Sequence, residues 1–250
     1  MARSYLVLDI ETVLDPELPI AESSEAERLP APPHHRIVVI GVLLMGADYT
    51  VRRLGVVGDG KEEPGILNDF AQFVEERRPC LVTYNGRGFD MPVIANRCFR
   101  HGITLHYYYA ARDVRYRFSP DGHLDLMDYL ADFGAAKPSR LDVVAKLCGM
   151  PGKVGVAGKD VGPMVHAGRL SEVRDYCLCD VVQTAAVFLR VQLLRGELGH
   201  LSKPNLGAGS SCALRHRLCH AIGMPHCAVE YHRYLRFGCH LVSPLNQTKI

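Results

Sequence analysis

Four acidic residues and one tyrosine hold the chemistry within reach of this chain: Asp9, Glu11, Asp90, Tyr176 and Asp180. Their surroundings decide where they point. Asp9 and Glu11 stand two apart in an apolar, partly β-branched run, YLVLDIET, that reads as a buried strand, so both project from one face. Tyr176 and Asp180 stand four apart in a helical pattern and are neighbours on one helix surface. Asp90 follows the turn-like Asn85-Gly86-Arg87-Gly88 and opens an apolar segment. Carboxylates gathered away from water repel one another and resist ionisation unless cations neutralise them. Hard oxygen donors of this kind suit Mg²⁺ or Mn²⁺. Asp180 has the weakest innocent explanation, because it interrupts an apolar helix face beside Cys177, Val181 and Val182. Asp90 also fits a simple helix N-cap. Cys177 and Cys179 read as small packing residues.

The elements that must bring these groups together follow in order. After the first strand comes a Pro- and acid-rich loop (15–33), then strands at 36–45 and 50–57 around a turn at Gly46-Ala47-Asp48. A helix over 65–78 puts Ile66, Leu67, Phe70 and Phe73 on its apolar face. A short buried strand is expected at 81–84, a helix at 89–101 and a polar, aromatic loop over 107–122. Short helices at 125–133 and 140–148 precede a glycine-rich stretch over 151–162. The last helix runs from 171 to about 195, with Ser171 as N-cap and Glu172 in the first turn. The pattern is α/β, with a mixed central sheet flanked by helices.

At this point three strings, LDIET (8–12), YNGRGFDMPVI (84–94) and YCLCDVVQT (176–184), resemble the exonuclease motifs of the DEDD 3′–5′ exonucleases. The Tyr-x-x-x-Asp form of the third belongs to the tyrosine-bearing branch. The second is most similar to the proofreading domain of family B DNA polymerases and to stand-alone proteins like it. The resemblance covers residues 4 to 195 and implies a ribonuclease-H-like fold. It further implies hydrolysis from the 3′ end of single-stranded DNA or RNA, DNA favoured, with release of nucleoside 5′-monophosphates. Two ions of Mg²⁺ or Mn²⁺ would be held by Asp9, Glu11, Asp90 and Asp180, with Asp9 between them and Tyr176 orienting the attacking water. Ile10, Thr12, Asn85, Arg87 and Phe89 are the expected substrate contacts; Phe89 also suits the core, and Asn85 also suits tying down its turn. Arg112, Arg115 and Arg117, interleaved with Tyr107 to Tyr109 and Tyr116, suit phosphate contact and base stacking. Lys153 and Lys159 are further channel candidates, and Asp125 is expected to be structural. A polymerase or repair partner would be a separate chain.

Composition sets the wider bounds. With 250 residues, 48% of them hydrophobic, one sizeable α/β domain can fill its core. A formal net charge of +2 leaves any nucleic-acid binding to local patches. Nine scattered cysteines point to reduced thiols and a cytoplasmic setting. Asp9 and Glu11 interrupt the first apolar run too early for a signal peptide, and no apolar stretch is expected to span a bilayer. The exonuclease-like domain is expected to occupy 1–198, and 199–250 to form an irregular, poorly ordered tail. There Cys212, Cys219, Cys227 and Cys239 interleave with five histidines, without a familiar zinc-ligand spacing. A loosely docked extension, a zinc site and an out-of-frame terminus all remain open readings of it.

Two other classes compete. A haloacid-dehalogenase-like phosphatase wants Asp where Glu11 stands and its threonine one position beyond Thr12. A non-catalytic ribonuclease-H-like module that binds nucleic acid or scaffolds a complex usually lacks some of the acidic ligands, and all four are present here.

Overall fold

The computed structural model describes residues 4–18, 30–150, 152 and 158–198. Five strands form its sheet: β1 (Tyr5–Leu14), β2 (His35–Met45), β3 (Val51–Val56), β4 (Cys80–Thr83) and β5 (His123–Asp125). Their spatial order is β3-β2-β1-β4-β5. β1 pairs antiparallel with β2 along its whole length, and β2 pairs antiparallel with β3. On its other edge β1 pairs with β4, in parallel, only over Tyr5, Leu6 and Val7. Beyond Val7 the two strands part, and among the described residues no other strand fills that edge. Such a divergence opens a crevice, the place where α/β sheets bind their ligands.

Alternation along β1 sorts its side chains to two sides. Leu6, Leu8 and Ile10 pack with Leu67 and Phe70 of α1 (Glu63–Arg77) and Met91 and Ile94 of α2 (Asp90–His101). Val7 goes the other way, against Val181, Ala185 and Phe188 of α8 (Leu170–Leu194). Asp9 and Glu11 share Val7's parity, so the strand period alone turns them toward α8. This helix is long and apolar enough to cross a membrane, contrary to the sequence expectation, but most of it is buried against the sheet. It is the core helix of the fold.

A buried ion network locks the first strand to both helices of the opposite layer. Arg97 of α2, 2% exposed, donates to Asp15 Oδ2 at 2.6 Å and to both carboxylate oxygens of Glu63 at 2.8 and 2.6 Å. Glu63 also accepts the Ile37 amide at 2.7 Å and meets His101 Nε2 at 2.9 Å. Burial alone would raise the Asp15 pKa, yet the Arg97 guanidinium and the Glu17 amide hold it below the ordinary range.

Several elements differ from the sequence reading. The expected loop at 107–122 contains two short helices, α3 (His106–Ala110) and α4 (Arg112–Arg115). Tyr107 lies in the core with its hydroxyl on the Pro79 carbonyl, so it is no stacking residue. The single helix expected at 125–133 is instead β5, the short α5 (Leu126–Leu130) and a 3₁₀ turn. Asp125 caps α5 by accepting from the Met127 and Asp128 amides, so the helix cannot begin earlier. Asp132 and Phe133, at φ 47° and 54°, then break it. After α6 (Leu141–Leu147), the helix α7 (Gly158–His166) begins within the glycine-rich stretch, where no helix was expected. Ser171 lies inside α8; Arg169 occupies the N-cap and pairs with Glu172. Lys153 and the Cys/His-rich tail lie outside the described residues.

Candidate active site

The five residues come from three elements that meet at the crevice. Asp9 and Glu11 lie where β1 has lost β4. In the register, Asp9 stands opposite Gly41 and Glu11 opposite Val39, with a bulge just beyond, between Glu11 and Thr12. Bulges re-aim side chains next to sites of this kind. α8 crosses below and presents Tyr176, Cys177 and Asp180. Its close approach depends on Gly41, where a β-carbon would lie 2.7 Å from Cys177 Sγ.

Asp90 arrives from the far side. It is the first residue of α2, after the turn 85–89, so it is a helical residue, with Phe89 at the cap position. Asn85 sits in the left-handed region at φ 68°, and a β-carbon on Gly86 would lie 2.4 Å from the Thr83 side chain. Asp125 pins the turn from β5 by accepting the amides of Asn85 at 3.0 Å and Arg87 at 2.9 Å. The carboxyl of Asp90 accepts from its own amide and from that of Ile10. Ile10 is thus a strand residue whose amide helps position an acid.

Charge shows the convergence directly. Ligand oxygens of Asp9 and Glu11 and the sulfur of Cys177 lie within 4.8 Å of one another. Crowding by protein, then Asp90, Glu11 and Asp180, raise the Asp9 pKa well above the ordinary range; Cys177 opposes this with a hydrogen bond. Burial pushes Asp90 up to about 7, with Asp125 adding to the rise. Burial and then Asp180, Glu11 and Asp9 raise the Tyr176 phenol, which donates to Asp180. The phenol therefore keeps its proton. Gln183 donates to Asp180 Oδ1 at 3.4 Å. Negative charge this dense, on oxygen atoms at the mouth of a crevice, is the donor chemistry that hard divalent cations neutralise. Cys177 is fully buried, its thiol pKa is raised by burial, and it donates to Asp9 at 3.5 Å (main-chain oxygen) and 3.6 Å (Oδ2). It is a packing and hydrogen-bonding residue.

The expected substrate contacts fare unevenly. Arg87 does not project outward, as expected from the motif turn. Its guanidinium donates to the carbonyls of Val114, Arg115, Tyr116 and His123 at 2.8–3.3 Å, tying the turn to β5 and the segment before it. The Ile10 side chain is in the core. Phe89 is half-buried and packs edge-on against the His35 ring at 4.9 Å. Thr12 Oγ1 meets His35 Nδ1 at 2.9 Å, and His35 Nε2 meets the Pro30 carbonyl at 3.0 Å. Burial lowers the His35 pKa, so the ring is neutral. Nε2–H then donates to Pro30, and Nδ1 accepts from Thr12. Arg117 pairs with Asp128 at 2.6 Å, while Lys159 is exposed on α7. Sequence reasoning missed His35, which joins Thr12 to Phe89, and Cys177 as the donor to Asp9. No local pattern marks either one.

The mixed five-stranded sheet with helices on both sides is a ribonuclease-H-like fold, and a solved family B DNA polymerase shares it. That polymerase, from the hyperthermophilic archaeon Pyrobaculum calidifontis, matches with a TM-score of 0.53 and 22% identity over 76% of this chain. The match covers 24% of the polymerase, so the chain spans about a quarter of its length. Residues 29–217 match the family described as a predicted 3′–5′ exonuclease related to the exonuclease domain of PolB, and the chain belongs to that family. The matched span holds Asp90, Tyr176 and Asp180 and begins downstream of Asp9 and Glu11, which reach the site through the fold. No curated protein matches the chain.

Proposed function

We propose that the chain is a divalent-metal-dependent 3′–5′ exonuclease. It removes nucleoside 5′-monophosphates from the 3′ end of single-stranded nucleic acid, DNA in preference to RNA. One observation carries this reading: four carboxylates and a phenol from β1, α2 and α8 converge at the edge of β1 that β4 leaves open. Asp9, Glu11, Asp90 and Asp180 would hold Mg²⁺ or Mn²⁺, two ions in all, which supply an activated water and charge for the leaving 3′ oxygen. The chain's own groups do the positioning. Asp9 faces all three of the other acids. Tyr176 keeps its proton, donates to Asp180 and orients the attacking water through its oxygen; it is not the base. Asp125 and Arg87 hold the turn that sets Asp90 in place. The preference for DNA rests on the polymerase-like second motif and on the polymerase fold neighbour. The five described cysteines are free thiols, which agrees with work in the cytoplasm beside a separate polymerase or repair partner.

The test is a digestion series on 3′- and 5′-labelled DNA and RNA strands, with Mg²⁺, Mn²⁺ or EDTA. A ladder shortening from the 3′ end, dependent on metal and abolished in Asp9→Ala and Asp180→Ala, is the expected result. Full activity in either variant, or mononucleotide release in EDTA, refutes the assignment.

A further inference from the structure

One surface feature has no part in the site. Tyr116, Phe118, Phe133 and Tyr129 form a continuous chain of rings that runs from the exposed Tyr116 and Phe118 to the half-buried Phe133 and Tyr129, the last packed against the core. The ring centroids are 5.8 Å apart from Tyr116 to Phe118, 4.9 Å from Phe118 to Phe133 and 6.1 Å from Phe133 to Tyr129. Tyr116 and Phe118 are each 54% exposed, although a tyrosine and a phenylalanine gain most from burial. Phe133 is held in place by strained backbone: it and Asp132 both lie at positive φ without being glycine. The ridge alternates rings with cations in Arg115-Tyr116-Arg117-Phe118, and Arg115 lies over the Tyr109 ring at 4.9 Å.

Two residues fasten this ridge to the turn that carries Asp90. Arg87 holds the Tyr116 carbonyl. Asp125, which caps the helix bearing Tyr129, accepts the amides of Asn85 and Arg87. The rings thus stand on the same rigid support as one acid of the candidate site.

We propose that this ridge is a stacking platform for a single-stranded nucleic-acid segment, separate from the catalytic carboxylates. The choice of occupant rests on the exonuclease reading. Basic and acidic residues balance over 109–140, so neutralisation of phosphates does not supply the binding. Stacking of bases on the rings does, and it is tolerant of sequence because every base has a π-face. Few phosphate contacts mean a shallow salt dependence.

Binding of fluorescein-labelled dT12 to the full chain, in EDTA so that hydrolysis is silent, tests this by anisotropy. Phe118→Ala with Phe133→Ala is expected to weaken binding roughly 10- to 100-fold. Phe118→Leu keeps apolar bulk without a π-face and should weaken it too, while Phe118→Trp should retain it. Metal-dependent hydrolysis of the p-nitrophenyl ester of thymidine 5′-monophosphate, too small to reach the ridge, should be the same in all variants. Three results overturn the platform: dT12 binding within twofold of wild type in the double variant, full binding in Phe118→Leu (the mark of a protein-like apolar contact), or no binding of dT12 by the wild type. A wild-type chain that binds dT12 through these rings but hydrolyses neither ester nor oligonucleotide would sustain the platform and refute the exonuclease reading alone.

Discussion

Gly41→Ala adds one methyl group and tests whether the site depends on how closely α8 approaches the sheet. The new β-carbon would lie 2.7 Å from Cys177 Sγ and 3.1 Å from Val181 Cγ2. Comfortable separations of such atoms are about 3.5–4.0 Å, so about 1 Å must be found. Cys177 cannot easily yield, because its sulfur is fully buried and donates to Asp9. The helix therefore lifts, and Tyr176 and Asp180 move away from Asp9 and Glu11 together. A misplacement of about 1 Å can cost roughly 10²-fold in rate. Overpacking of this size costs about 1–3 kcal/mol, offset by up to about 1 kcal/mol for replacing glycine within a strand. The expected variant folds, melts a few degrees lower and loses about two decades of kcat on a labelled oligonucleotide. Adding Cys177→Ala removes the obstructing sulfur and should restore part of both losses, with the Val181 contact limiting recovery. A single variant within threefold of wild-type kcat, or a double variant no better than the single, would show that α8 and β1 tolerate a looser fit than the geometry implies.

Three further outcomes follow from the same contacts. Tyr176→Phe removes the hydroxyl that donates to Asp180 and should lower kcat by roughly 10²-fold, leaving the metal concentration for half-activation within a few-fold; a large rise in that concentration would make the phenol part of metal binding. Arg97→Met strands the buried carboxylates of Asp15 and Glu63 and should cost about 3–5 kcal/mol, read as a fall of roughly 10 °C in Tm; a change under 2 °C would mean that the network is dispensable. In metal-free protein the folded state holds the Asp90 proton up to a pH of about 7, whereas the unfolded chain releases it near 3.8. The folded state thus binds more protons across that window, so this residue's contribution to stability falls as pH rises through it and then levels. Comparing wild type with Asp90→Asn cancels His35 and His123, which are both held neutral by burial and act with opposite sign, while Asp9, whose pKa Asp90 helps to raise, adds to the same fall. The Tm of wild type relative to the variant should fall between pH 4 and 7 in EDTA and stay level above that, and excess Mg²⁺, by holding the ionised carboxyl, should restore the lost stability at neutral pH. A flat difference in EDTA would place Asp90 in a wetter setting than its burial indicates.

Much of the scaffold was written in short-range patterns. Alternation in YLVLDIET put Asp9 and Glu11 on one face, and that face did turn to α8, because a strand buried on both sides cannot rotate without exchanging its cores. The four-residue step from Tyr176 to Asp180 needed only helical geometry. The secondary elements read wrongly lie where local pattern is weakest. Asp125 became the cap of a short helix and the anchor of a distant turn, and the two short helices at 106–110 and 112–115 looked like loop because neither is long enough to show a period.

From sequence alone came the identities of the acids, the phenol and the elements that bear them, since strand and helix periods act over a few residues. Only tertiary structure decided what those groups meet: Cys177 donates to Asp9 across 168 positions, Arg87 turns inward to carbonyls, and Gly41 matters because a helix lies on it. Contacts of that kind depend on which surfaces the sheet and α8 press together, and no local signal encodes them.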